Sequence, residues 1–239
     1  MKPSTPAQDI YNKEYAAQYP FFYIDQWKNK HTLNIKNIRK ALATISQQQV
    51  KWLDTACGQA WHFSQINEDI IKVGLDLSPA QLHYAAINNL SSHFVHGDIC
   101  NIPFSDDTFD LVTNFWAAYC YLDDMDLIGK FIRQAIRATR TGGAIYFELL
   151  LPEDLSSFNK SRYADATGFR TSPREADFSR WRYEDSGGIH DMTSPPLDFF
   201  KDALISHFAN IEVIHDSQFM VHMLATGKLP SDSPPHMYR

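Results

Sequence analysis

The order of short apolar runs constrains this chain more than any other feature. Val50-Lys51-Trp52-Leu53-Asp54, Ile70 to Asp76, Ser92 to His96, Phe109 to Phe115 and Ala144 to Leu151 read as strands. Segments with helical spacing lie between or beside them. Thr32 to Ser46 carries Ile35, Ile38, Leu42 and Ile45, and the stretch from Asp124 carries Ile128, Phe131, Ile132, Ala135 and Ile136 on one face. Ser78-Pro79 reads as an N-cap followed by proline at the first helical position. Strands that alternate with helices pair in parallel, with helices on both faces of the sheet. After a further stripe (Leu197, Phe200, Leu204, Phe208), Ile211 to Ile214 and Phe219 to Ala225 are separated only by Asp216-Ser217-Gln218. So short a connector cannot hold a crossover, so this last pair is antiparallel. The expected fold is α/β, doubly wound and Rossmann-like: a mostly parallel seven-stranded sheet with a terminal antiparallel hairpin and a small cap.

The 239 residues suit one such domain over 1–229, with 230–239 as a loose, proline-bearing tail. At 44% hydrophobic and 13% aromatic the chain is globular. A net charge of −6 without a basic stripe argues against a nucleic-acid partner. Cys57, Cys100 and Cys120 form no C-x-x-C pair and read as reduced thiols of a cytoplasmic protein. Met1 to Gln18 has no apolar signal core, and no apolar run approaches a membrane span.

The first strand runs into Asp54-Thr55-Ala56-Cys57-Gly58-Gln59-Ala60, a loop of very small side chains at the first βα turn. Small residues let backbone approach a ligand, and this is where open parallel sheets bind nucleotides. A nicotinamide-binding loop would need G-x-G-x-x-G for its pyrophosphate, which is absent here. Three later segments fall in the right order: Val73-Gly74-Leu75-Asp76-Leu77-Ser78; Gly97-Asp98-Ile99 with Ile102-Pro103-Phe104; and Gly142-Gly143 as a turn before the fifth strand. With these, the chain resembles a class I S-adenosylmethionine-dependent methyltransferase of the small-molecule type, over about Val50 to Leu151. The resemblance implies S-adenosyl-L-methionine as cofactor, no metal, and a set of contacts. Asp54, Ala56, Cys57 and Gly58 would form the first motif. Asp76 would hold the ribose hydroxyls and Leu77 would lie against the adenine. Asp98 and Ile99 would meet the adenine edge, with Asn114 at the methionine end. Alanine stands at two of the family's three glycines, and Ala60 is expected at negative φ, at the start of the helix.

Methyl transfer is an in-line displacement at an already activated sulfonium, so alignment and exclusion of water are its main demands. A base is needed only where the nucleophile must lose a proton. Candidate residues follow from placement. Tyr11 and Tyr19, with Tyr15 between them, have near-helical spacing in an N-terminal segment (1–30) expected to close over the cofactor. Trp116 and Tyr119 follow the fourth strand, beside the methionine end. Residues 152–196 leave the carboxyl edge of the sheet, where ligands of such sheets lie, and form the expected substrate cap. Within it Trp181, Arg182 and Tyr183 are acceptor-binding candidates, and His190 is a candidate base because its unperturbed pKa lies near neutrality. Each of these has a plainer reading: aromatic core packing, a charged solvated loop, a surface histidine. A peptide, protein or RNA methyltransferase, and a methyltransferase-like protein that keeps the cofactor for structure or for cyclisation, remain the alternative functions.

Overall fold

A computed structural model describes residues 5–173, 179–215 and 220–230. The expected loose tail from 231 onward, the cap residues Arg174, Glu175 and Asp177, and the connector Asp216-Ser217-Gln218 with Phe219 fall outside them. The chain opens with α1 (Ala7–Ile10), α2 (Lys13–Tyr19) and a π-helical turn at Pro20–Ile24, followed by the long α3 (Lys28–Leu42). Asn12 caps α2 by accepting from the Glu14 and Tyr15 amides, which fixes where the first tyrosines face.

Strands β1 (Val50–Thr55), β2 (Ile70–Asp76), β3 (His93–His96), β4 (Phe109–Asn114) and β5 (Thr139–Leu149) are parallel. They alternate with α4 (Trp61–Gln65), α5 (Pro79–Asn88) and α6 (Met125–Ala138). Beyond the cap lie α9 (Leu197–Ile205), β9 (Phe208–His215) and β10 (Val221–Lys228). The main sheet runs β3-β2-β1-β4-β5-β10-β9, and β10 is antiparallel to both neighbours. The terminal hairpin therefore inserts one strand between β5 and the edge. One face packs Ile128, Phe131, Ile132, Phe147 and Phe200. The other packs Ile38, Ala41, Phe63, Trp52 and Tyr146 against α3 and α4. The helical stripes read from the sequence face the sheet, because burying such a stripe is what stabilises an amphipathic helix, but two of them end early: Ile45 lies beyond α3, and Phe208 opens β9 instead of extending α9. The order changes direction between β1 and β4, which opens a crevice at their carboxyl ends.

The cap is more regular than its sequence indicated. It contains α7 (Leu155–Phe158), α8 (Arg162–Thr167) and a three-stranded antiparallel sheet of β6 (Arg170–Pro173), β7 (Arg180–Asp185) and β8 (Gly188–Thr193). Two local expectations need correcting. Ala60 has φ 53°, a left-handed conformation, and α4 begins only after it, at Trp61. Ala56 is left-handed too, at φ 59°. Two alanines of this loop thus hold a left-handed conformation, at a cost of about 1–2 kcal/mol each. The Gly142-Gly143 pair lies inside β5 rather than in a free turn before it. Gly142 has φ 79° beside a register shift in the β4–β5 pairing, so the pair absorbs a bulge.

Candidate functional site

A cavity of about 430 Å³ opens over the carboxyl ends of β1, β2 and β4 and extends under the cap. At the β1–β2 end it is lined by Ala56, Gly58, Asp76, Leu77, Asp98 and Ile99. Gly58 is left-handed at φ 53°, and a Cβ there would stand 3.1 Å from the Tyr19 hydroxyl. The loop therefore presents bare backbone directly beneath the N-terminal segment. Asp76 ends β2 with its carboxylate fixed by two backbone amides: Gly58 N donates to Oδ2 at 2.7 Å and Ser78 N to Oδ1 at 2.8 Å. Burial pushes this carboxyl above its ordinary range, against the opposing pull of those amides. Asp98 takes the Cys100 amide at 2.8 Å and orients the next turn.

Tyr11, Tyr19 and Tyr23 roof the cavity. The roof is tied down at several points. Ser78 Oγ donates to the Tyr11 carbonyl at 2.6 Å, Gln59 Nε2 to the Ala16 carbonyl at 2.6 Å, and Tyr15 hydroxyl to Asp185 Oδ2 at 2.9 Å. The Tyr11 and Tyr121 hydroxyls lie 3.0 Å apart, and Tyr121 also bonds the Tyr183 hydroxyl. Burial pushes Tyr11 up to about 12, and raises Tyr121 and Tyr183 well above their ordinary value. All three are therefore neutral hydroxyls near neutral pH, able both to donate and to accept.

Trp116 follows β4 at φ 59°, with Ala117 at φ 48°, so two consecutive non-glycine residues are left-handed. A buried ion pair holds them. Glu148 accepts the Trp116 amide at 2.7 Å, and Lys30 Nζ lies 2.5 and 2.6 Å from its two oxygens. The same ammonium lies 3.7 Å from the Trp116 ring centroid. Sequence reasoning passed over this pair. A lysine on α3 and a glutamate within β5 carry no motif, and their meeting depends on the docking of α3.

The structure separates the candidate residues by strand alternation and depth. Ala56, Gly58, Asp76, Leu77, Asp98, Ile99, Tyr11, Tyr19, Trp116, Trp181 and Tyr183 line the cavity. Asp54, Cys57 and Asn114 do not. Asp54 accepts the Thr113 hydroxyl at 2.7 Å and Asn114 Nδ2 donates to the Thr55 carbonyl at 2.8 Å, so both brace the loop from within. Asp54 and Cys57 border a smaller adjoining cavity of about 20 Å³. Arg182 points to the opposite face of β7 from Trp181 and Tyr183 and pairs with Asp191 at 2.8 and 2.9 Å. Tyr119 is fully buried, with its hydroxyl taking the Leu150 amide. His190 is buried behind Tyr183, ring to ring at 4.2 Å, with Nε2 2.9 Å from Asp185 Oδ1. Neither lines the cavity. Tyr23 and Gln81 do line it and were not singled out. Tyr23 continues the four-residue spacing of Tyr11, Tyr15 and Tyr19, which was the available signal. Both amide atoms of Gln81 are buried without a hydrogen-bond partner. An orphaned amide beside Asp76 fits a ligand rich in hydroxyls and ring nitrogens.

Among the described residues no cluster of His, Cys, Asp and Glu is placed to hold a metal ion, and no helix is long and apolar enough to cross a membrane. Residues 53–143 match the family described as methyltransferase domain. Among curated proteins, the chain is 26% identical over 131 residues to a phthiotriol/phenolphthiotriol dimycocerosates methyltransferase of Mycobacterium leprae, covering 53% of this chain and 46% of that protein. It is 31% identical over 114 residues to a malonyl-[acyl-carrier protein] O-methyltransferase of Pectobacterium atrosepticum, covering 46% and 42%. The matches span under half the length of these curated relatives. Solved structures superpose over much more of the chain. CalS10, an amino pentose methyltransferase of Micromonospora echinaspora with bound S-adenosylmethionine, aligns with a TM-score of 0.61 at 18% identity, covering 90% of this chain and 98% of that one. Streptomyces venezuelae DesVI aligns at 0.67 and 16% identity, covering 90% and 99%. The chain has the fold of the class I S-adenosylmethionine-dependent methyltransferases.

Proposed function

We propose that this protein transfers a methyl group from S-adenosylmethionine to a small-molecule acceptor enclosed between the sheet edge, the N-terminal segment and the cap. The observation that carries this reading is Asp76. It is a buried carboxylate at the end of β2, facing the cavity, with each oxygen oriented by a backbone amide of the loops beside it. An ionised carboxylate only accepts hydrogen bonds, which suits a pair of ribose hydroxyls. Leu77 and Ile99 offer apolar walls for a base, and Asp98 and Gln81 offer polar atoms at its rim. The cofactor would supply a positively charged sulfonium whose methyl is ready for displacement.

The chain's own part is alignment and dryness. Trp116, fixed through its amide by Glu148, gives a rigid wall beside the methionine end. Tyr11, Tyr19 and Tyr23 keep water from the reacting centre. The roof and cap close the cavity on several sides, which favours a compact acceptor over a folded protein or an RNA strand. Asp54, Cys57 and Asn114 serve the site by holding its loops.

Calorimetry with S-adenosylhomocysteine tests the cofactor site, and absence of binding removes the reading. Incubation with methyl-labelled S-adenosylmethionine and a metabolite extract separates a methyltransferase from a protein that keeps the cofactor for structure. Label in a small product is expected. Bound cofactor with no transferred label would favour the non-methylating alternative.

A further inference from the structure

The part of the cavity beyond the cofactor residues has a definite chemistry. Leu150, Phe158, Phe169, Trp181, Met192 and Met220 form its walls. The rings lock one another: Phe158 lies 4.4 Å from Phe169, and Phe169 lies 4.4 Å from Tyr183. Trp181 Nε1 is already donated to Ser194 Oγ at 2.8 Å, so that ring offers only its apolar body. Among the described residues lining the whole cavity none is Lys, Arg or His, and the acids are Asp76 and Asp98, both at the β1–β2 end. The nearby charges are already paired. Lys30 is bound to Glu148 beneath Trp116. Arg182 is held by Asp191 on the outer face of β7. Asp185 takes the Tyr15 hydroxyl, the Gly187 amide and His190 behind Tyr183.

A carboxylate or phosphate entering this chamber would lose its water and meet no cation among the described residues, and an ammonium would meet no acid among them there. What the chamber does offer is a strip of neutral hydroxyls, Tyr11, Tyr121 and Tyr183, bonded to one another along one wall. Such hydroxyls pair with a group that both donates and accepts. Flat aromatic walls favour a ring or another compact apolar body.

We infer that the acceptor is an uncharged, largely apolar ring compound carrying a hydroxyl, which docks against Tyr183 and Tyr121 while its ring lies among Phe158, Phe169 and Trp181. This rests on the methyltransferase reading. It sets the chain apart from catalysts of a free carboxylate or of an aliphatic amine, which is charged near neutral pH.

The probes are 2-naphthol, 2-naphthoate, 2-naphthylmethylammonium and 2-methylnaphthalene, titrated at pH 7 into protein saturated with S-adenosylhomocysteine. S-adenosylhomocysteine binding is measured first, so that its failure counts against the cofactor reading and not against the acceptor class. Given that binding, 2-naphthol is expected to bind at least tenfold more tightly than either charged probe. Tyr183→Phe should weaken 2-naphthol about fivefold and leave 2-methylnaphthalene unchanged. Tyr121→Phe serves the same comparison should the first variant fold poorly. A charged probe that binds as tightly as 2-naphthol, or no binding by any of the four, overturns the inference. So does a loss in the variants that is equal for the hydroxylated and the bare ring, because the tyrosines would then be structural only.

Discussion

The Lys30–Glu148 pair is the most exacting test of how this site is held. Both side chains have no exposed surface, and the ammonium meets both carboxylate oxygens. Lys30→Met keeps the volume of the stem but leaves Glu148 buried beside the Trp116 amide at 2.7 Å and His222 Nδ1 at 3.8 Å. Breaking a buried pair by removing one partner costs about 3–5 kcal/mol. That is a large share of the stability of an ordinary domain, about 5–15 kcal/mol. Lys30→Met combined with Glu148→Gln should recover most of the loss, since no charge remains and the Trp116 amide keeps an acceptor.

The pH dependence has a definite sign. Burial raises the Glu148 carboxyl, but Lys30 and then His222 more than offset it, so its pKa lies below the ordinary 4.5. A depressed carboxyl contributes stability above its unfolded value and loses it as pH falls through the folded value. In Lys30→Met burial prevails and the carboxyl rises instead. The gap between wild type and variant therefore narrows as pH falls, first through the variant's raised value down to 4.5 and then from 4.5 through the wild type's lowered value. Urea unfolding followed by far-ultraviolet circular dichroism at a series of pH values reads this directly. A loss under about 1 kcal/mol at pH 7, or a gap that does not change with pH, refutes the reasoning.

Asp76→Ala leaves two ribose hydroxyls without a charged acceptor and should weaken S-adenosylhomocysteine by about 1.5–3 kcal/mol in calorimetry, and unchanged affinity would remove Asp76 from the site. Trp181→Ala should lower turnover of the true acceptor with little effect on cofactor affinity, whereas Arg182→Ala, on the outer face of β7, should leave both near wild type; equal losses in the two would mean that the cap faces the cavity differently. Ala56→Gly relieves a left-handed alanine at about 1–2 kcal/mol while adding about 0.4–1 kcal/mol of unfolded-state entropy, so thermal unfolding should show a small gain, and a clear loss would speak against the positive φ. Burial first, and then the charge of Lys30, push His31 down to about 4, so stability should fall as pH drops from 6.5 toward 4, and His31→Gln should flatten that arm of the unfolding profile.

The sheet was legible because its physics is local. Each strand is a short apolar run, and the connector before β10 is too short for anything but a hairpin. Asp76 was legible for the same reason, since a strand end and the following turn place it without knowledge of the rest. Ala60 was not. Alanine ordinarily favours negative φ, and its left-handed turn shows only in the folded chain, where Ala60 packs in one cluster with Trp52 and Phe63 and its amide donates to the Cys57 carbonyl at 2.8 Å. Tyr119 and His190 have the right chemistry for a catalyst but lie one layer too deep, and depth is a tertiary property. Arg182 could have been set aside from alternation alone, had β7 been recognised as a strand. A charged stretch inside a long connection hid that two-residue period.

The roof precedes the sheet in the chain, yet its fastenings lie far downstream. Tyr11 meets Tyr121 across 110 residues, and Tyr15 meets Asp185 across 170. Contacts that close such long loops give no return until both ends are in place. The segment that covers the cavity is thus fastened by residues far downstream of it, among them Asp185 at the end of β7. Releasing this segment would undo those hydroxyl contacts and uncover Ile10, Tyr15 and Ala16, while the strand pairing of the seven-stranded sheet would stay as it is.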